Sequence, residues 1–106
     1  MLVTFHSTAT PDVVMLRDLA AYLLGVVGKR LETRGVILHE EAAAAIDRLE
    51  AALREDARIA EEHGAAYRAR PDVQSRTGAG LRSRALPFLD MLRMAEGRDA
   101  DILWSA

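Results

Sequence analysis

Cysteine is absent from the 106 residues, which excludes disulfides, thiolate metal sites and thiol catalysis together and suits a reducing compartment. A cytoplasmic location is therefore expected. Aromatics are scarce: Phe5, Tyr22, Tyr67, Phe88 and Trp104 are the whole set, so aliphatic side chains and alanine must supply most of any core. Tyr67 beside Arg68 and Arg70 is a lone ring, too few for a platform that stacks successive bases. Long hydrophobic runs are missing as well. The apolar stretch over residues 13–27 is broken by Arg17 and Asp18, and its uninterrupted part falls far short of the roughly 20 residues that a membrane-spanning helix needs. No basic lead precedes the first apolar residues, so no signal peptide and no membrane association are expected. Charge of either sign is not in excess. The formal balance is −2, which gives no bulk attraction to nucleic acid. Lysine is nearly absent, one against thirteen arginines, a bias that reads as compositional rather than as thirteen guanidinium-specific roles.

Half of the residues are hydrophobic, enough for one compact core, and residues 1–106 read as a single domain. At the start, Leu2-Val3-Thr4-Phe5-His6 and Val13-Val14-Met15-Leu16 flank a Ser/Thr/Pro/Asp turn, the pattern of a β-hairpin. A competing reading starts a helix at Thr10-Pro11-Asp12, with Thr as N-cap and Pro in the first helical position. Val13-Val14 is poor helix material, and Leu16, Leu19, Leu23 and Val27 make a sufficient stripe for a first helix without it. Gly28 then ends that helix and Lys29 meets its negative end. Val36-Ile37-Leu38 is either a brief strand or a buried entry to the next helix.

The longest helix is predicted from about His39 to His63, with Ala42, Ile46, Leu49, Leu53, Ala57 and Ala60 on its buried face. Glu40 and Glu41 favour its positive end, Glu50 is spaced to pair with Arg54 and Glu55 with Arg58, and Gly64 supplies the stop. Residues 65–80 lack any period and read as a long surface loop. A last helix is predicted near Ser83 as N-cap, with Pro87 in its first turn, a core face of Ala85, Phe88, Leu89, Leu92 and Ala95, and Gly97 as its end. Ile102-Leu103-Trp104 offers a third strand or a lid, and Trp104 is expected to tie the C-terminus to the hairpin.

The opening M-L-V-T-F-H-S-T-A-x-x-D-V-V-M-L, the later L-R-S-R-A-L-P-F-L-D-M-L from Leu81, and Trp104 near the end resemble a family of small, uncharacterised proteobacterial proteins classed as a domain of unknown function. The resemblance spans nearly the whole chain and is most distinctive at its two ends. It implies a compact domain and carries no enzymatic assignment.

His6, His39 and His63 are the candidates for acid–base or metal chemistry. On one continuous helix His39 and His63 stand about 36 Å apart and cannot share a site, and His39-Glu40-Glu41 lacks the second histidine of a zinc helix. His39 is read as a helix entrance, His63 as a helix end and His6 as part of the hairpin. Glu40-Glu41, Glu55-Asp56 and Glu61-Glu62 are helix neighbours about 100° apart, a solvated face rather than a converging acid pair. None of the four serines sits in a nucleophile elbow. No catalytic residue, cofactor or metal is expected. Met15, Met91 and Met94 read as core filler ahead of an adaptable groove.

Charge segregation is the sharper signal. Residues 38–63 hold eight acidic side chains against three arginines, whereas residues 65–85 hold five arginines against one aspartate. Within the basic zone Arg76, Gly78, Gly80, Arg82, Ser83 and Arg84 lead into a predicted helix start, where N–H groups and the helix dipole favour a phosphate or other anion. The alternative is that this segment pairs with the acidic helix of its own or a neighbouring chain.

The sequence thus predicts an α+β fold: a small antiparallel sheet, formed by the hairpin and joined by the C-terminal tail if that segment is a third strand rather than a lid, packed against about three helices. A non-catalytic module that binds a protein partner or a second copy is the leading expectation. An anion binder using the arginine-rich segment at residues 68–84 is the alternative.

Overall fold

A computed structural model of the chain describes the backbone of residues 2–68 and 79–106 and the side chains of residues 2–58 and 81–106. Strands β1 (Leu2–Ser7) and β2 (Thr10–Leu16) form the expected hairpin, followed by α1 (Arg17–Val26), β3 (Arg34–Ile37), α2 (His39–Arg68), α3 (Ala79–Gly97) and β4 (Ile102–Ser105). The four strands make one antiparallel sheet in the order β2-β1-β4-β3. This is the predicted α+β architecture, with the C-terminal strand inserted beside β1 and Val36-Ile37 as a fourth strand.

Pro11 fits a strand because it lies on an edge and at an irregularity. The pairing shifts between Phe5 and Ser7, so Pro11 and Asp12 together stand opposite His6, the usual setting for proline in a sheet. Leu16 closes β2 and is exposed, so it does not belong to the helix stripe; Leu19, Leu23 and Val27 do. The C-terminus of α1 is a Schellman turn: Lys29 N–H reaches Leu24 O at 2.7 Å, Gly28 N–H reaches Gly25 O at 3.1 Å, and Gly28 has φ +88°. A left-handed residue is what this turn needs. The Lys29 side chain does not serve the helix end; it pairs with Glu41, and Arg48 of α2 donates to Val27 O at 3.1 Å in its place.

Helix α2 starts at His39 as expected but runs through Gly64 to Arg68. An isolated glycine costs about 1 kcal/mol in a helix and does not by itself end one. Its buried stripe is Ala42, Ala45, Leu49, Leu53 and Asp56, while Ile46 is half-buried and Ala57 exposed. The seam therefore follows a spacing nearer 3.5 residues than the predicted one, as helices packed side by side favour. Glu50 pairs with Arg93 of α3 at 2.6 Å rather than with Arg54, whereas Glu55 and Arg58 pair as predicted.

Helix α3 begins at Ala79, not near Ser83, because Leu81 is buried with Ala85, Phe88, Leu89 and Leu92 and extends the core face by a turn. Pro87 consequently lies inside the helix, held there by buried side chains on both flanks. Gly97 is the last helical residue but not the left-handed one. Asp99 takes φ 52°, and Ala100 N–H closes the turn onto Ala95 O at 2.9 Å. Trp104 is buried in β4 with its ring 6.3 Å from that of Phe5, which in turn stands 4.9 Å from Phe88. Among the described residues the buried apolar side chains of sheet and helices, Ala42 apart, form one cluster.

Candidate interaction surface

Strand alternation sorts the sheet into two faces. Val3, Phe5, Met15, Ile37, Ile102 and Trp104 are buried on the inner face. The opposite face carries Leu2, Val14, Leu16 and Leu103, each more than half exposed at 59%, 53%, 56% and 51%. Cross-strand pairing arranges it in rows: Leu2 opposite Leu16; Val14, Thr4, Ser105 and Arg34 across all four strands; His6, Leu103 and Val36 across three. Four large aliphatic side chains on one exposed face make it a candidate interaction surface, since isolated ones would be unremarkable.

Two polar features mark this face. At the irregularity in β2, Asp12 Oδ1 meets His6 Nδ1 at 2.7 Å, an exposed pair. Arg34 stands exposed on the opposite edge strand. Val14 and Leu16 lie on the edge strand β2, and Leu2 and Leu103 on the inner strands β1 and β4, where Thr4, His6 and Ser105 share the face.

His39 and Asp101 look at first like an acid–base pair. Asp101 Oδ1 accepts from the His39 backbone N–H at 2.8 Å and lies 2.9 Å from His39 Nδ1. The hydrogen bond to Asp101 raises the His39 pKa above its ordinary value, and the His39 backbone N–H, then its ring, lowers that of Asp101. The geometry is that of a helix start. Glu41 Oε1 accepts from Leu38 N–H at 2.9 Å, the returning half of a capping box, while Asp101 satisfies the next orphan N–H from across the fold. The Leu38 N–H, and after it Lys29, holds the Glu41 carboxyl below the usual range.

A cleft of about 350 Å³ lies between the hairpin and α3, lined by Pro11, Val13, Pro87, Met91 and Met94 with Asp12 and Asp90. Met15 and Met91 are core, as predicted, whereas Met94 is partly exposed in this cleft. A second cleft of about 210 Å³ holds Lys29, Glu41 and Arg48, whose charges already serve Glu41, Lys29 and Val27 O. Among the described residues no cluster of three or more acidic or histidine side chains is placed to hold a metal, and every buried side-chain polar atom has a partner.

Of the anion-binding candidates, Arg76 and Gly78 lie outside the described residues. Gly80 falls in the first turn of α3; Arg82 and Ser83 are exposed and Arg84 half-buried on the same helix. Ser83 is thus a helical residue and not the N-cap, and the N–H groups of the helix start are those that follow Ala79. Arg84 is already engaged by a partner within the protein. His63 lies within α2, and its side chain is outside the described set.

The family model described as Domain of unknown function (DUF1840) matches residues 1–104. The chain belongs to this family. Membership in DUF1840 agrees with the resemblance carried by the two ends of the sequence, which form the hairpin, α3 and the strand that carries Trp104. Among curated proteins and among solved structures nothing matches the chain. The open sheet face was missed as a site in the sequence, yet a signal was present. Val13-Val14-Met15-Leu16 and Ile102-Leu103-Trp104 are continuous apolar runs, the pattern of strands covered on both faces.

Proposed function

We propose that this protein is a non-catalytic interaction module that works by self-association through the open face of its sheet. One observation carries the reading: the helices cover a single face, and the other exposes Leu2, Val14, Leu16 and Leu103 together. Strands apolar on both faces are built for cover on both sides. A cytoplasmic setting suits the cysteine-free composition, and among the described residues no helix is long and apolar enough to cross a membrane.

Sedimentation velocity across about 1 µM to 1 mM, the span over which an interface of modest size dissociates, tests the reading. A shift from monomer to dimer with concentration is expected. The variant Leu16→Glu/Leu103→Glu should remain monomeric throughout while keeping its circular dichroism spectrum, since both side chains already face water in the monomer. A parent protein that stays monomeric over the whole range refutes self-association.

A further inference from the structure

The hydrogen-bond phase of the sheet is set at its far edge. Ala106 N–H donates to Thr33 O at 2.7 Å, and in the β3–β4 register these two residues stand directly opposite. In an antiparallel ladder only every second opposite pair bonds in this way. The bonded pairs are therefore Gly35 with Trp104, then Thr4 with Ser105 and His6 with Leu103. Between β1 and β2 they are Val3 with Met15 and Phe5 with Val13. Val14 consequently turns its N–H and C=O away from β1, and Leu16 turns its N–H the same way. The Leu16 carbonyl, at the N-cap, serves α1.

β2 is an outer strand, and among the described residues no hydrogen bond from outside the sheet reaches these three groups. Pro11, the irregularity and Asp12 guard one end of the edge. Val13-Val14-Met15-Leu16 holds no proline, bulge or charge, so it is open to another extended chain.

The ground beside the edge says what that chain carries. The hairpin–α3 cleft of about 350 Å³ is lined by consecutive residues 9–13. A hollow over one face would touch every second residue, so this one runs along the edge. Its other wall is Pro87, Asp90, Met91 and Met94, on one face of α3. Val13 opposes Phe5 and so lies on the helix side, yet it is only half-buried. A strand bonded to Val14 and Leu16 sends the side chain next to Val13, and the one about 7 Å further on, into this cleft. An apolar cavity of about 150 Å³ takes a group the size of benzene, so two large apolar side chains fit. Asp90 is exposed on the α3 wall. Arg93 stands 3.7 Å from it and bonds Glu50 at 2.6 Å instead, which leaves the Asp90 carboxylate for a cation. A second copy fits poorly: pairing β2 with β2 about an axis normal to the sheet brings the other α3 to the same side of the edge, where the cleft lies.

We propose that β2 takes up an extended segment of a partner protein as a fifth strand. Two large apolar residues at alternate positions fill the hairpin–α3 cleft, and a flanking lysine or arginine meets Asp90. The site lies apart from the open face and needs no self-association, so the two readings stand or fall separately.

Acetylated octapeptides with Leu or Phe at two alternate positions, Lys or Glu as the flanking residue and Thr elsewhere are the probes, read by amide chemical shifts of the protein. A lysine peptide should bind with a dissociation constant between about 10 µM and 1 mM and move the amides of Val14, Leu16 and Met94. Asp90→Lys should reverse the preference for lysine over glutamate peptides. Val14→Pro removes an outward N–H and no ladder bond, and should weaken binding at least about ten-fold. A circular dichroism melt checks its fold, and an N-methyl scan of the peptide, expected to weaken binding at every second residue, makes the same test on the unaltered protein. Leu103→Glu should change nothing. Absence of binding at about 1 mM, an N-methyl scan without that period, or loss of binding in Leu103→Glu overturns the proposal. So do Val14 and Met94 amides that shift with protein concentration alone, which would give the edge to a second copy.

Discussion

Gly35 faces the Trp104 indole directly across the sheet, and a Cβ at this position would run into the ring. Glycine therefore admits the tryptophan, whose Nε1–H donates to Glu32 O at 3.3 Å. Gly35→Ala should cost about 1–3 kcal/mol through forced movement of a packed ring, read as a lower urea midpoint with Trp104 as the fluorescent reporter. A second prediction at this scale concerns His39 and Asp101. Because the folded His39 pKa lies above its ordinary 6.5, its contribution is present below that value and is lost as pH rises through the folded pKa. Because the folded Asp101 pKa is lowered, its contribution is present above the ordinary carboxylate range and is lost as pH falls through the folded value. The pair therefore stabilises most between about pH 4 and 6.5. Urea midpoints for the parent should fall on going from pH 6 to pH 8 more than those of His39→Gln; equal slopes would show that the pair does not couple to folding.

At the scale of elements, α2 shows how a helix start is assembled from distant chain. Its entrance takes one bond from Glu41 within the helix and another from Asp101, which lies 62 residues further along the chain. Glu41→Ala removes the Leu38 N–H partner and the Lys29 pair, and should lower stability by about 1 kcal/mol at neutral pH. The folded pKa of Glu41 is lowered, so this difference is present above the ordinary carboxylate range and disappears as the pH falls through the folded value. Thermal melts of parent and variant should accordingly converge in acid. The elements also explain which sequence expectations needed correction. Gly64 and Ser83 carry strong local signals for a helix end and a helix start, yet α2 continues past the first and α3 begins before the second. For α3 the burial of Leu81 outweighs the N-cap preference of Ser83. The Glu50–Arg54 spacing is correct for a local pair, but Arg93 approaches Glu50 from α3 and takes it.

At the scale of the whole molecule, α1, α2 and α3 lie on one side of the four-stranded sheet. That placement converts an apolar run that a local reading assigns to a hairpin into one covered face and one open face. If the open face closes on a second copy, folding and association are linked. The thermal midpoint of the parent should then rise with protein concentration, while that of Leu16→Glu/Leu103→Glu should not. Differential scanning calorimetry over about a hundred-fold range of concentration separates the two responses, and parallel behaviour of parent and variant counts against the proposed interface.

The sequence by itself determined the classes of element and most of their positions: hairpin, first helix ending at Gly28, long second helix from His39, and an apolar C-terminal segment carrying Trp104, which the structure resolves as a strand. Those features follow from turn chemistry, periodicity and β-branched runs, which act over a few residues. It also excluded thiol chemistry, since no cysteine is present. The tertiary structure alone decided that Val36-Ile37 is an edge strand, that Asp56 rather than Ala57 enters the core, and that Asp101 caps α2. It alone separated Leu16 and Leu103 from the core as well. Each of these depends on which surface another element brings close. Alternation within a strand defines two faces but does not say which one the helices will cover.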